Sequence, residues 1–480
     1  MKHWKHQRNH LTGRRRGKQR YNRIACALLA ALLCLLCACG APASSAAGVN
    51  GENALTSQTP GAVAGTAGSG GNLIPLSNGT DRGCYTVGRD GEYQLLCYVD
   101  YDLAVETPLC AQPSCAHDSD ACTAFWEREK YVLNPQTGDG SAVFFLINDY
   151  HTGHSEIWTA EPDGSGRRIL VESISDADDY SPVAEDDSFL YYFYNIYSRS
   201  DDQVLESRLC LGRVPLQGGE SEELFSWEDS SNGVGYEFLG VSGREMLVYR
   251  FDWGEPVSME IPEGTPPEDE EAAMESLLEQ LKQQTARHSV LWVNIDTGTK
   301  RELDVWSSTY GSAGRSLLWE NERLYWCDYI NHGPSHWLDT DGQSGELPVL
   351  PERSDDENAR YTLNCIAQGR LLVDCYNPAS KFTSRCAVSL SEDPAGSAQA
   401  LTLRYVHASS ERPVLIEGQG EAGFLVQYEE NADFSTGFDE DGTTQENLSI
   451  TMRYGMISYE DYFANRPNYR PVEMVYGFGR

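Results

Sequence analysis

Basic residues are scarce in this chain. Its 480 residues include 37 Lys and Arg against 72 Asp and Glu, a formal net charge of −35. Such a surface repels phosphate backbones and anionic headgroups, which argues against nucleic acid as a partner and against electrostatic docking to a bilayer. It suits solubility, cations and basic partners. Also missing is an apolar run of the roughly 20 residues that a membrane-spanning helix needs. The familiar catalytic strings are absent, with no G-x-S-x-G elbow and no H-E-x-x-H pair. Strand–helix alternation of the βαβ kind is absent too, which argues against a parallel sheet. Acid pairs occur throughout, so none stands out as a glycosidase dyad.

Much of the basic charge gathers at the start. Met1–Arg23 holds nine Lys or Arg and no acid, and the apolar run Ile24–Ala38 follows directly. That charge order and length are those of an export signal. The run closes on Leu36-Cys37-Ala38-Cys39-Gly40, which resembles the lipobox of bacterial lipoproteins. The resemblance implies cleavage after a signal peptide of residues 1–38 and a palmitate-type lipid on the Cys39 sulfur. The protein would then sit on the extracytoplasmic face of the cell membrane, held by its lipid. A short uncleaved anchor or a plain secretory signal also fits the run. Loss of residues 1–38 takes nine bases from 37 and leaves 28 against 72 acids, a net charge of −44.

Residues 39–72 read as a flexible tether, because Ala, Gly, Ser, Thr and Pro cannot bury enough surface to offset the entropy of ordering. As a coil it would reach on the order of 30 Å. Residues 73–480 are longer than an ordinary domain and no second linker interrupts them, so one large repetitive domain is expected.

That domain repeats one pattern, an apolar and aromatic run, a polar turn, a second strand and a glycine turn. The strongest runs are Leu95–Val99, Val143–Ile147, Phe189–Tyr194, Met246–Phe251, Arg323–Trp326, Leu371–Val373 and Phe424–Tyr428. Their starts lie roughly 45–75 residues apart, near the blade period of propeller repeats. Paired strands flank Asp163-Gly164 and Thr297-Gly298, which supply the positive φ that tight hairpins need. A sheet protein of this length must hide its edges, and radial repetition does so. The expected fold is therefore an all-β propeller of about seven four-stranded blades. Six or eight blades also fit, and a pair of stacked β-sandwiches is the nearest alternative. The first unit is short before Cys84, which leaves room for a completing strand from the C-terminal end.

Two helices interrupt the strands. Thr265-Pro-Pro-Glu268 resembles a capping box, and Ala273, Leu277, Leu278 and Leu281 then form one stripe. Acids open this segment and Lys282 lies near its end, matching the helix dipole. It reads as a surface helix inserted between two strands of one blade. Glu460–Ala464 reads as a second helix before a last strand at Val472–Tyr476.

The segment Ile157–Leu170 (IWTAEPDGSGRRIL) resembles the repeats of TolB-like propellers. The cysteine-rich segment after Val99 and the ending Ile457–Met474 (ISYEDYFANRPNYRPVEM) are similar to uncharacterised propeller lipoproteins of Gram-positive gut anaerobes. The resemblance implies architecture from about Cys84 onward. The N-terminal α/β domain of TolB is absent, so only the propeller carries over.

Of fourteen cysteines, Cys26, Cys34, Cys37 and Cys39 belong to the leader and lipobox. Three others stand with a histidine as Cys110-x4-Cys115-x-His117-x4-Cys122. Three thiolates and one imidazole suit a tetrahedral zinc site, which would be structural because no position stays open for water. Outside the cytoplasm a disulfide among these cysteines, or with Cys84 or Cys97, fits as well. Cys375 and Cys386 could face each other across a hairpin, but along with Cys210, Cys327 and Cys365 they read first as apolar packing.

Three other signals read as turns. Gly418-Gln-Gly420-Glu-Ala-Gly423 matches a nucleotide loop in letters, but a strand follows where a helix is required. His151 and His154 flank a turn. Asp339-Thr-Asp341-Gly342 and Asp439-Glu-Asp441-Gly442 lack the later glutamate of a calcium loop. The function expected is a binding or scaffold module for a protein or envelope polymer. The alternative is a glycan hydrolase or lyase with residues gathered round the channel, and a third reading makes the cysteine loop a stress-sensing switch.

Overall fold

The computed structural model describes residues 71–90, 93–127, 129–149, 151–172, 177–200, 203–227, 234–254, 261, 266, 270–309, 314–328, 335–347, 359–390, 398–407, 410–438 and 444–474. The leader, Cys39 and nearly all of the tether lie outside them. No helix among the described residues is long and apolar enough to cross a membrane.

Seven four-stranded antiparallel sheets follow the chain in order, at residues 79–127, 130–171, 177–227, 234–309, 315–346, 360–401 and 415–471. They form a seven-bladed β-propeller, and we number the blades I to VII. In blades II to VII the strongest apolar run of each repeat is the second strand, which has a neighbour on both sides; in blade I it is the third. Buried on both faces, these strands need apolar side chains at every position, which is why they stood out.

Each sheet packs against the next. Tyr85 and Leu96 of blade I meet Val143 and Phe145 of blade II. Phe144 and Ile157 meet Tyr192 and Val214 of blade III, and Tyr191 and Leu211 meet Met246 and Val293 of blade IV. Leu247 and Trp292 then meet Leu324 and Trp326 of blade V. Tyr325 and Cys327 meet Leu371 and Val373 of blade VI, and Leu372 and Ala387 meet Phe424 and Val426 of blade VII. The ring closes where Leu425 and Tyr454 of blade VII pack on Cys84, Val99 and Tyr101 of blade I. Stacked sandwiches have no such closure, so that alternative falls.

The closure differs from the expected one. The short first strand of blade I is Gly79–Thr80, paired with Gly83 and Cys84, so nothing from the C-terminal end replaces it. The last described strand of blade VII is Arg470–Pro471; of the expected Val472–Tyr476, residues 475 and 476 lie outside the described residues. Beyond it Glu473 forms a parallel bridge to Val105 on the outer strand of blade I.

Gly71–Thr80 is a strap across the ends of five blades. The Arg244 Nη1 of blade IV donates to the Gly71 carbonyl at 2.8 Å, and the Leu73 amide donates to the Gly243 carbonyl at 2.8 Å. Ile74–Pro75 adds a fifth strand to blade III along its first strand, pairing with Glu185 and Ala184. Ser77 and Thr137 of blade II exchange amide hydrogen bonds of 2.9 and 2.8 Å, and the Asn78 side chain donates to the Glu417 carbonyl of blade VII at 3.1 Å. Leu73 is only 5% exposed, in the core between blades III and IV. The strap therefore meets blades II, III and IV near their first-to-second-strand turns.

The elaborations lie at the other end of the strands, where second strand turns to third. They are the long hairpins Phe189–Ser200/Gln203–Pro215 and Gly423–Phe438/Thr444–Ser458, and the helix α1 (Glu270–Gln283) inserted in blade IV. Ala273, Leu277, Leu278 and Leu281 of α1 are half-buried, as their stripe implies, whereas Thr265 lies outside the described residues. Helix α2 (Tyr459–Phe463) is capped by the Ser458 hydroxyl, which accepts the Asp461 amide at 3.1 Å, and it buries Tyr462 and Phe463.

Candidate metal centre

The outer strand of blade I is interrupted. Val105–Pro108 pairs with Cys97–Asp100, and Phe125–Glu127 pairs with Tyr93–Leu95 of the same strand. Between them, Leu96 accepts the Leu109 amide and donates to the Ala124 carbonyl, both at 2.9 Å. The cysteine loop thus leaves and returns at a single residue. Ser114 and His117 adopt left-handed backbone at φ of 61° and 57°, folding the excursion back on itself. The Gln112 side chain donates to the Ala121 carbonyl at 2.9 Å and the Cys122 amide to the Ser119 carbonyl at 2.9 Å.

This folding brings Cys110, Cys115, His117 and Cys122 together, with one ligand atom from each within 4.8 Å of all the others. The His117 Nδ1 stands 3.1 Å from the Cys122 Sγ. Bonds of about 2.3 Å to sulfur and about 2.0 Å to nitrogen require donor atoms roughly 3.5–3.8 Å apart, so the His117–Cys122 pair would open by about 0.4 Å and any wider pair would close by about 1 Å at most. The cluster could therefore hold a metal.

The thiols already differ. Burial opposes ionisation of Cys110, but hydrogen bonds from the Gln112 amide and from the Cys122 and Cys115 thiols outweigh it and lower its pKa. Burial pushes Cys122 up to about 12, and its interactions with Cys110 and Cys115 act in the same direction. Thiols sharing one site yield their protons as a set, and a cation at the centre would release them. All ten cysteines among the described residues are free thiols.

Support comes from parts of the chain that the spacing did not reveal. The Arg167 Nη1 donates to the Thr123 and Phe125 carbonyls at 3.2 and 2.8 Å, while its guanidinium lies 4.6 Å from the centre of the Trp126 ring. These partners are more than 40 residues away in sequence, separated by 44 and 42 positions, so no linear pattern exposes them. Beneath the loop, Leu95, Cys97 and Phe125 form its core with Cys122. Burial raises the Cys97 thiol well above its usual range.

The remaining cysteines are packing residues. Cys84 lies opposite Val99 and Cys97 opposite Thr86. Cys375 likewise lies opposite Ser384 and Cys386 opposite Val373, so the two cysteines are two positions out of register and do not face each other.

The other signals resolve into turns. Gln419–Gly423 joins two strands of blade VII. The Asp149 carboxylate accepts the His151 and Thr152 amides at 2.8 and 2.9 Å, and Asp339 accepts those of Asp341 and Gln343 at 3.0 and 2.8 Å. Asp439–Gly442 lies outside the described residues.

Two groups invisible in the sequence resemble catalytic sites and are structural instead. Glu185 and Asp186 shift in opposite directions, as an acid–base pair would. Burial raises Glu185, whereas for Asp186 burial is outweighed by hydrogen bonds from Arg244 and Tyr191 and from backbone amides. The Asp186 carboxylate is spent on that framework, with Arg244 Nη1 at 2.6 Å and the Tyr191 hydroxyl at 2.7 Å. The second group is His288, whose ring lies between the Tyr249 hydroxyl at 2.7 Å and the Ser308 hydroxyl at 2.6 Å. It stacks on Trp306 with an interplanar angle of 11° and is 3% exposed, a satisfied core histidine. Burial, helped by Arg315, lowers its pKa to about 4, which leaves it neutral at pH 7.

No family model matches the chain, and no curated protein is significantly similar to it. Some solved structures are distantly similar. One is an oligogalacturonate lyase from Vibrio parahaemolyticus, 12% identical, covering 78% of this chain and 85% of its own, with a TM-score of 0.38. Another is prolyl oligopeptidase B from Galerina marginata, 10% identical over 81% of this chain and 56% of that one, with a TM-score of 0.40. A third is the β-propeller domain of the Trilobed protease from Pyrococcus furiosus, 10% identical over 70% and 92%, with a TM-score of 0.33.

Proposed function

We propose that this protein is a lipid-anchored, extracytoplasmic propeller of the TolB-like lipoprotein kind found in Gram-positive bacteria. In this reading Cys39 carries the lipid, residues 39–72 span the gap to the membrane, and the propeller binds or scaffolds a protein or an envelope polymer. The observation that carries the binding role is the division of the faces. The strap occupies the end of the strands nearest the tether, while both long hairpins and α1 stand at the opposite end. Among the described residues the long insertions thus gather on one side, which is what a presented binding face requires. In the same reading Cys110, Cys115, His117 and Cys122 hold one zinc ion as a closed structural site.

The test is cross-linking in intact cells, comparing the native protein with Cys39→Ala and labelling both with a clickable palmitate analogue. Label on the native chain alone, with a cross-linked protein or glycan lost in the variant, is the expected result. Equal labelling of both chains refutes the anchor. Capture of no macromolecule, with purified protein cleaving envelope glycans, replaces binding with the glycan-active alternative.

A further inference from the structure

We propose that the metal-loaded cysteine loop is the outer latch of the ring, so that metal occupancy sets how firmly blade VII is joined to blade I. This rests on the zinc reading above. The seam between these blades is held at two radii. On the inner side, the Asn78 side chain reaches the Glu417 carbonyl at 3.1 Å and the Glu421 amide reaches the Asp81 carbonyl at 3.2 Å. On the outer side, the Glu106 amide donates to the Glu473 carbonyl and the Glu473 amide to the Ala104 carbonyl, both at 2.9 Å. Arg470 adds hydrogen bonds to the Asp102 carbonyl, at 2.7 Å, and to the Tyr101 carbonyl.

The outer contacts all land on Val105–Pro108 or the turn before it, and this strand runs straight into Cys110. It is short and has one partner within its own blade, so its order depends on what fixes its far end. The loop supplies that fixed point. Leu109 is tied to Leu96, Cys122 packs with Leu95 and Cys97, and the four ligands close the excursion between them. A metal bond across residues 110–122 removes loop freedom that would otherwise pull against the stem. Glu106, 1% exposed at the seam, accepts the Thr86 hydroxyl at 3.1 Å and holds the strand to its blade.

The experiment uses the full chain in detergent, with zinc alone as the probe. Elemental analysis gives the zinc content, and amide hydrogen exchange is followed by mass spectrometry before and after chelation. One zinc per chain is expected. Its removal should speed exchange at residues 104–109 and 470–474 at least tenfold while peptides of blades III to V stay unchanged. Cys115→Ser should reproduce the chelated pattern without chelator, and His117→Ala should do so in part. Bound zinc whose removal leaves the seam unchanged overturns the latch and spares the metal site. An equal rise in every blade also overturns it, because the metal would then support the whole fold. A chain that binds no zinc overturns the site itself.

Discussion

The joint between blades VI and VII offers a sharp test of the energetics. Arg385 is 3% exposed in its side chain and grips Asp374 through two parallel bonds, Nε to Oδ1 at 2.6 Å and Nη2 to Oδ2 at 2.8 Å. Its Nη1 crosses to the Val414 carbonyl at 2.8 Å and the Tyr462 hydroxyl at 3.1 Å. Arginine cannot shed its proton in a protein. Asp374→Ala therefore strands a full positive charge in the interior, at a cost of about 3–5 kcal/mol. Arg385→Met removes the charge instead. The Asp374 side chain, 21% exposed, then regains water, and what is lost is the donor of two buried acceptors, at about 1–3 kcal/mol each. The double variant should resemble Arg385→Met alone, since no cation remains to be stranded. Urea unfolding followed by tryptophan fluorescence measures all three. A double variant whose loss equals the sum of the two single losses would refute this account of the joint.

Three further outcomes follow from the same structure. Leu73→Ala empties a buried position under the strap and should cost about 2–5 kcal/mol in urea unfolding; a loss below about 0.5 kcal/mol would mean the strap is not packed. His288 has a folded pKa near 4 and an ordinary value of 6.5, so below pH 6.5 the unfolded chain binds the extra proton. Stability should fall from pH 6.5 toward pH 4, by about 1.4 kcal/mol per unit of pKa difference. In His288→Gln that component should vanish, which unfolding curves at pH 4.5 and 7 would show. Gly164 sits at φ of +80° in the turn that backs the cysteine loop, and an added Cβ would lie 1.9 Å from the Leu109 carbonyl oxygen. Gly164→Ala should cost at least about 1–2 kcal/mol and weaken zinc retention in a competition titration.

The blades were legible because their central strands carry the strongest signal a sheet can give. Phe144 to Ile147 and Tyr191 to Tyr194 face core on both sides, so no alternation dilutes them. The cysteine–histidine cluster was legible because a small loop keeps its members close in sequence. The strap was not, since Leu73, Ile74 and Leu76 form a short apolar patch after a stretch rich in Ala, Gly, Ser and Thr and their partners lie far along the chain. Arg167, Arg244 and Arg385 were hidden for a related reason. A buried cation is recognisable only with its acceptors, and those of Arg244 include Gly71, 173 residues away. At the ending, the described strand Arg470–Pro471 precedes the more apolar Val472–Tyr476 on which the expectation rested.

The strap has a consequence for the order of assembly. Asn78 leaves the ribosome early, yet its partner Glu417 is 339 residues downstream. Leu73 and Gly71 must likewise wait for Gly243 and Arg244. Contacts of such sequence separation form late, because closing the intervening chain has to be offset before they contribute. The strap residues, among the first of the propeller to be synthesised, are therefore among the last to settle. Until they do, the first strand of blade III keeps an open edge that another strand can pair with, and that edge is the point at which the folding chain is most exposed to mispairing.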